Sequence, residues 1–74
     1  MVIVKLGNHL KRCRFDFEDM TQEELAQAVG VTRQTIISIE KGRFVPSTLL
    51  ALKLAKFFKK PVEDIFFILD KSTK

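Results

Sequence analysis

Two short helical segments separated by a glycine-containing turn constrain this chain more than any other feature. Thr21, followed three residues later by Glu24, has the pattern of a capping box that starts a helix over QEELAQAV. Gly30 can then take the left-handed conformation that ends a helix, and Thr32 can cap the next helix, RQTIISIEK. Because so short a turn cannot join collinear helices, the pattern predicts a helix-turn-helix at about residues 21–42.

Helix signals continue on both sides of this unit. Asn8 can cap a first helix, and Ser47 can cap a fourth. Pro61 can begin a fifth, short helix that contains Ile65 and Phe66. The pattern therefore predicts a mainly α fold of five short helices.

The two ends of the sequence have strand character instead. Residues 2–6, VIVKL, are mostly β-branched and apolar, and a glycine follows them. Residues 66–69, FFIL, form a second apolar run that favours an extended conformation. Since 74 residues suffice for one small domain, we expect a single domain over 1–74, with five helices and two candidate strands.

Composition argues against several classes of protein. No apolar run approaches the roughly 20 residues that span a bilayer, and the N-terminus does not resemble a signal peptide, so we expect a cytoplasmic protein without a membrane partner. Cys13 is the only cysteine, which excludes an internal disulfide, and we expect no metal or other cofactor. His9 is the only histidine and has no motif around it, so neither an enzyme site nor a small-molecule site is expected.

Basic residues are segregated from acidic residues along the chain. The net charge is +4 and the pI is about 9.5, yet the segment 15–30 carries only acids among its charged residues. Separated basic patches favour a polyanionic partner such as DNA. On charge alone, an ordinary solvated surface is an equally good explanation.

The helix after the turn has two distinct faces. At 100° per residue, Ile36 and Ile39 fall together on the core side. The opposite face carries Arg33, Gln34, Ile37, Ser38 and Lys41. Arg can form two hydrogen bonds with a guanine edge, and Gln can form two with an adenine edge. We therefore expect Arg33 and Gln34, at the start of a recognition helix, to contact bases in the major groove of double-stranded DNA.

Each of these residues also has a simpler explanation. Exposed Arg, Gln, Ser and Lys occur on any solvated helix, and Ile37 is either a casual apolar surface residue or a contact to a thymine methyl group. The alternative function is a protein-interaction module, such as an antitoxin-like partner or an adaptor. Such a module has no need for base-reading side chains beside two capped helix starts.

Residues 8–66 closely resemble the Cro/CI-type (XRE-like) helix-turn-helix family of transcriptional regulators. The strings TQEELA, GVTRQTI, IEKG and PS carry the likeness. The resemblance implies a five-helix, lambda-repressor-like bundle with a two-stranded antiparallel sheet from the chain ends, as in small stand-alone prokaryotic regulators of the cytolysin-repressor type. It also implies that the protein binds operators as a homodimer.

The same resemblance implies roles for individual residues. Positions that hold the DNA backbone match Gln22, Thr32, Thr35, Lys41 and Arg43. Positions that face bases match Arg33, Gln34 and Ser38. A family ion pair that ties the first helix to the third matches Arg14 and Glu40. The sequence departs from the family in two places: one extra residue lies between Arg14 and Met20, and Lys59 stands where Gly or Asn usually ends the fourth helix.

These patterns favour a sequence-specific DNA-binding regulator that acts as a repressor on an inverted-repeat operator. Surplus apolar area at the end of the chain suggests how two copies could associate. Five short helices already supply a core, so we expect Phe66, Phe67 and Leu69 at a homodimer interface. The alternative is that these residues complete the core of a monomer.

Overall fold

Four α-helices lie between two β-strands in the computed structural model, which describes residues 4–70. In chain order the elements are β1 (Val4–Asn8), α1 (Leu10–Asp16), α2 (Gln22–Val29), α3 (Arg33–Glu40), α4 (Thr48–Phe58), a 3₁₀ turn (Val62–Asp64) and β2 (Phe66–Asp70). The mainly α class and the small sheet are as the sequence predicts. None of the helices in this described part is long and apolar enough to cross a membrane.

Side-chain caps define the helix-turn-helix. The Thr21 hydroxyl accepts from the Glu24 backbone N–H at 3.0 Å, and the Glu24 carboxylate accepts from the Thr21 backbone N–H at 2.9 Å. Gly30 ends α2 in the left-handed region, with φ of 78°. The Thr32 hydroxyl then accepts from the Thr35 backbone N–H at 3.2 Å. The predicted helix-turn-helix is therefore confirmed, together with its capping box and its glycine turn.

One fully buried residue from each helical element builds the centre of the core. Leu10 of α1, Leu25 of α2, Ile36 of α3 and Leu54 of α4 are each 0% exposed, as is Ile65 after the 3₁₀ turn. Burying each of these side chains contributes about 1.5–3 kcal/mol. Because every element depends on the same cluster, the orientation of α3 is tied to the packing of the whole chain.

The predicted fifth helix forms only as a short 3₁₀ helix, and the prediction that it contains Ile65 and Phe66 is wrong. Only a single 3₁₀ turn forms, and Ile65 and Phe66 lie beyond it. At that point the chain turns to pair with the segment before α1. The His9 backbone N–H donates to the Ile65 carbonyl oxygen at 2.8 Å, and Phe66 is opposite Asn8 in the sheet. Sheet pairing therefore ends the helical conformation before a full α-helical turn can form.

The two strands pair antiparallel, with Leu6 opposite Ile68 and Gly7 opposite Phe67. The predicted first strand was 2–6; residues 2 and 3 lie outside the described residues, and the observed strand extends to Asn8. Gly7, expected to end that strand, lies inside it. A Cβ at this position would stand 2.5 Å from a ring carbon of Phe67, so the close approach of that ring requires glycine.

Candidate nucleic-acid interface

The outer face of α3 begins with two exposed side chains. Arg33 and Gln34 follow the capping residue Thr32 and are exposed, whereas Ile36 and Ile39 are buried on the opposite side. Both predicted base-reading residues therefore lie at the N-terminal end of a helix whose inner face is held in the core. This is the end that a recognition helix directs at base edges.

The remaining predicted residues of α3 are less exposed. Thr35, Ile37 and Ser38 are half-buried, and the Thr35 hydroxyl lies 3.0 Å from that of Thr32, so one of the two donates to the other. Lys41 caps the end of α3 and is exposed. Thr35, Ile37 and Ser38 therefore lie along the side of α3, and Lys41 lies at its C-terminal end, away from the exposed pair at the start of the helix.

Arg43 lies one residue beyond the left-handed Gly42 that follows α3. The Arg43 backbone N–H donates to the Ser38 carbonyl oxygen at 2.9 Å, and its side chain is exposed. Gly42 has φ of 75°, a conformation that favours glycine. The turn thus holds Arg43 near the C-terminal end of α3, apart from the exposed pair at its start.

A groove of about 540 Å³ brings three helices together beside α3. Its lining residues are Lys11 and Arg14 from α1, Thr21 and Gln22 at the start of α2, and Ile37, Glu40 and Lys41 at the end of α3. Three of the predicted DNA contacts therefore share one groove. Lys11 was missed by the sequence reasoning; the available signal was its position three residues before Arg14 on the same helix, which puts both on one face.

A salt bridge between Arg14 and Glu40 forms the floor of this groove. Arg14 Nε donates to Glu40 Oε2 at 2.6 Å and Arg14 Nη2 donates to Glu40 Oε1 at 3.1 Å. The two side chains are only 13% and 8% exposed. Arg14 Nη1 also donates to the Met20 carbonyl oxygen at 2.8 Å. One guanidinium thus connects α1, the loop after it and α3 with paired charge-assisted hydrogen bonds.

The extra residue in the loop after α1 does not disturb this pair. Glu18 and Asp19 both adopt positive φ, 55° and 57°, and the Met20 backbone N–H returns to the Arg14 carbonyl oxygen at 2.9 Å. The insertion is absorbed by two consecutive left-handed residues. Such residues cost energy outside glycine, and the cost falls in the loop rather than at the ion pair.

Gln22 joins the same network from the first turn of α2. Its Nε2 donates to Glu40 Oε1 at 3.0 Å, so one carboxylate oxygen accepts from both Arg14 and Gln22. Gln22, the predicted contact to the DNA backbone, is therefore already hydrogen-bonded within the protein. Its amide is held by the residue that also binds Arg14.

The predicted dimer residues separate into different environments. Phe66 is 8% exposed and packs in the core, so its assignment to an interface is corrected: it completes this chain's own interior. Phe67 is half-buried beside Gly7, with its ring centroid 4.5 Å from that of His9. Leu69 is 43% exposed. Only the last of the three retains a substantial free surface.

A larger exposed apolar area lies nearby, on residues that the sequence reasoning did not select. Phe44 is 46% exposed, Val45 is 67% exposed and Ile68 is 70% exposed. We call these three residues the apolar patch. The first two border a cavity of about 210 Å³ that Leu6 and Phe66 also line, and Leu6 is opposite Ile68 in the sheet.

Other chemistry is limited in the described residues. No group of three or more His, Cys, Asp or Glu side chains in residues 4–70 could hold a metal ion. Burial raises the pKa of the Cys13 thiol above its ordinary value of 9.0, against a smaller opposing effect of Lys60. A buried, protonated thiol is a packing residue rather than a nucleophile.

Comparison with known proteins identifies the family. The sequence model of the helix-turn-helix family matches residues 18–65. The chain is 54% identical over 65 residues to an HTH-type transcriptional regulator of Methanocaldococcus jannaschii, covering 88% of this chain and 97% of that protein. It is 53% identical over 57 residues to the HTH-type transcriptional regulator YgzD of Bacillus subtilis, covering 77% and 82%.

A more distant relative has a more specific name. The chain is 38% identical over 47 residues to the cryptic phage CTXphi transcriptional repressor RstR of Vibrio cholerae, covering 64% of this chain and 42% of that protein. These matches agree with the likeness to Cro/CI-type regulators that the sequence motifs indicate. The chain belongs to the helix-turn-helix family of transcriptional regulators.

Proposed function

We propose that residues 1–74 form a single DNA-binding domain that represses transcription. In this proposal α3 enters the major groove of double-stranded DNA, and a homodimer binds an operator with inverted-repeat symmetry. The observation that carries the proposal is the pair of exposed side chains, Arg33 and Gln34, at the capped start of α3. Their donors and acceptors match guanine and adenine edges, which gives sequence-dependent affinity.

Backbone contacts set the register of α3 on the DNA. In the proposal, Lys41 and Lys11 hold phosphates from either side of the groove, while Gln22 contributes its amide. Thr32, Thr35 and Arg43 contact the backbone near the two ends of α3. Such contacts supply affinity without sequence information, whereas Arg33, Gln34, Ser38 and Ile37 select the bases.

The assignment as a repressor draws on one relative. RstR is named a transcriptional repressor, and this chain covers 42% of its length. A domain with only DNA-binding and dimer surfaces can repress by occupying its operator. No ligand-binding domain is required for that activity, and the proposal includes no small-molecule effector.

The homodimer is supported by the apolar patch. Phe44, Val45 and Ile68 lie on and beside the sheet, and exposed apolar groups of this size favour a contact with another protein surface. A two-fold axis at the sheet buries each patch against its copy, whereas Leu69 lies on the opposite face of the sheet with Phe67. The two α3 helices then reach half-sites about 10 bp apart.

Selection of bound duplexes from random DNA, followed by binding assays on the selected site, tests the DNA-binding proposal. Arg33→Ala and Gln34→Ala should each weaken specific binding by about 1–3 kcal/mol and relax base choice at one position. Lys56→Ala and Gln27→Ala are the matched controls, because they remove the same charge or amide from exposed positions outside α3. The proposal fails if no duplex is enriched, or if the α3 variants bind as selectively as the controls. An unenriched pool favours the interaction module instead.

Sedimentation equilibrium at micromolar concentration tests the dimer. The wild-type chain should sediment as a dimer, and Ile68→Glu should shift it toward monomer because the new charge would be buried in the interface. Phe67→Glu tests Phe67, the interface residue predicted from the sequence, which lies on the opposite face of the sheet from Ile68. A wild-type monomer, or an unchanged Ile68→Glu dimer, rules out the proposed interface.

A further inference from the structure

We infer that Glu40 is a positioning residue for DNA binding, because its carboxylate fixes the orientation of the Gln22 amide at the groove. The inference rests on the proposed DNA-binding function and adds one residue to it. Glu40 itself is nearly buried and touches no DNA in this arrangement. It acts through Gln22, which lines the groove beside Lys41.

The direction of the Gln22 amide is dictated by its partner. A carboxylate only accepts hydrogen bonds, so the amide must present Nε2, and the reversed orientation would place two acceptor oxygens together. Glu40 cannot turn away to relieve such a clash, because both of its oxygens accept from Arg14. The Glu40 side chain is only 8% exposed, so water has little access to compete for its oxygens.

This arrangement leaves one donor of Gln22 for the groove. The amide nitrogen carries two protons, and Glu40 accepts one of them at 3.0 Å. The second proton is available to an acceptor, and the oxygens of a DNA phosphate accept hydrogen bonds. Arg14 meanwhile neutralises the Glu40 charge, which would otherwise repel that phosphate.

Replacing the carboxylate by an amide of the same shape reverses this geometry. In Glu40→Gln, the new amide oxygen should take the place of Oε2, which makes the shorter bond to Arg14, so that the NH₂ group takes the place of Oε1 and faces both Arg14 Nη2 and the amide of Gln22. The bond from Arg14 Nη2 is then lost whether or not Gln22 is present. Two donors cannot bond to each other, so Gln22 must turn its oxygen toward residue 40. Its protons leave the position from which they can reach a phosphate.

A double-mutant cycle on DNA affinity tests the inference. In the wild-type background, Glu40→Gln should weaken binding about 3- to 10-fold, equally for the selected site and for a random duplex, because phosphates carry no sequence information. In the Gln22→Ala background, the same substitution should change binding less than 2-fold. Glu23→Gln is the control for a carboxylate-to-amide change on the same surface, since Glu23 accepts from Gln27 Nε2 at 3.2 Å. Because it removes an exposed negative charge, it should not weaken DNA binding, and its effect should be the same in both backgrounds.

Three results would overturn the inference while leaving the proposed function intact. They are an unchanged affinity in Gln22→Ala, an equal loss from Glu40→Gln in both backgrounds, and a loss confined to the selected site. Failure of the wild-type chain to bind any duplex would instead overturn the proposed function and the inference with it.

A second measurement avoids any variant at Glu40. The side-chain NH₂ signals of Gln22 in an ¹⁵N correlation spectrum can be assigned by their loss in Gln22→Ala. One proton should be hydrogen-bonded in the free protein, and only the other should shift when DNA is added. If neither Gln22 side-chain proton changes its chemical shift when DNA is added, the inference is contradicted.

Discussion

Removing the Arg14 side chain should destabilise the protein far more than removing an exposed arginine from the same helix. Arg14→Ala deletes two charge-assisted hydrogen bonds to Glu40 and one to the Met20 carbonyl oxygen. Glu40, 8% exposed, keeps only its bond from Gln22. Breaking a buried ion pair in this way costs about 3–5 kcal/mol. A chain of this size has a total stability of about 4–11 kcal/mol, so the loss is a large fraction of it.

Thermal and urea unfolding followed by circular dichroism measure the effect. The melting temperature should fall by at least about 12 °C, at roughly 4–8 °C per kcal/mol for a domain of this size. Arg12→Ala is the internal control: Arg12 pairs with Asp16 on the same helix at 3.1 Å, but the two side chains are 74% and 50% exposed. Such a pair contributes only about 0.3–0.5 kcal/mol.

The comparison of the two arginines decides the outcome. If Arg14→Ala loses no more stability than Arg12→Ala, the buried pair does not stabilise the fold and the reasoning is refuted. Replacing both partners, as in Arg14→Met with Glu40→Leu, should restore most of the loss, because no buried charge is left without a partner. A double variant as unstable as the single one would show that the cost comes from packing.

Three further changes test other parts of the fold. Gly7→Ala should cost about 1 kcal/mol in urea unfolding and displace the Phe67 ring from His9, visible as a lost ring-current shift, because the new Cβ would lie 2.5 Å from that ring. Lys59→Gly should raise stability by about 0.5–1 kcal/mol, since Lys59 ends α4 with φ of 57° and ψ of 44°; an unchanged melting temperature would show that this conformation is not strained. Burial raises the pKa of Cys13 above 9.0, so the stability that the buried neutral thiol contributes is complete below pH 9 and is lost as the pH rises through the folded-state pKa. Over that pH range, the difference in stability between the wild-type chain and Cys13→Ala should shrink.

Local chemistry was sufficient to predict the helix-turn-helix. Thr21, Gly30 and Thr32 act through contacts within a few residues, and those contacts form as their side chains require. Lys59, noted only as a departure from the Gly or Asn that usually ends the fourth helix in the family, adopts the same left-handed conformation that Gly would take there. Where a residue's partners lie close in sequence, its type determines its conformation.

Long-range pairing accounts for what the sequence could not give. Asn8 was expected to cap the first helix; its Oδ1 does accept from the Leu10 backbone N–H at 3.1 Å, but its Nδ2 also donates to the Ile39 carbonyl oxygen at 2.9 Å. The shortness of the fifth helix has the same origin, since pairing with Asn8 draws Phe66 into the sheet. No local pattern reports which distant carbonyl or strand a residue will meet.

The residues of the candidate site also divide into those that local sequence predicts and those that depend on long-range packing. The exposure of Arg33 and Gln34 followed from helical periodicity, whereas the bond from Gln22 to Glu40 depends on how α2 crosses α3. Phe66 shows the limit of composition: apolar surplus indicated an interface, but not which of the residues would fill the core.

The sheet also determines how the chain responds to mechanical load. Val4, the first residue of β1, is opposite Asp70, the last residue of β2, so the chain enters and leaves this antiparallel sheet at the same end. A force that pulls the chain ends apart therefore peels the backbone hydrogen bonds one pair at a time instead of shearing them together. The strand that carries Ile68 should separate at low force, while the helices packed around Leu25 and Ile36 stay folded. In the proposed dimer, tension on the chain ends would thus separate the two copies before it disrupts α3, the proposed DNA-binding helix.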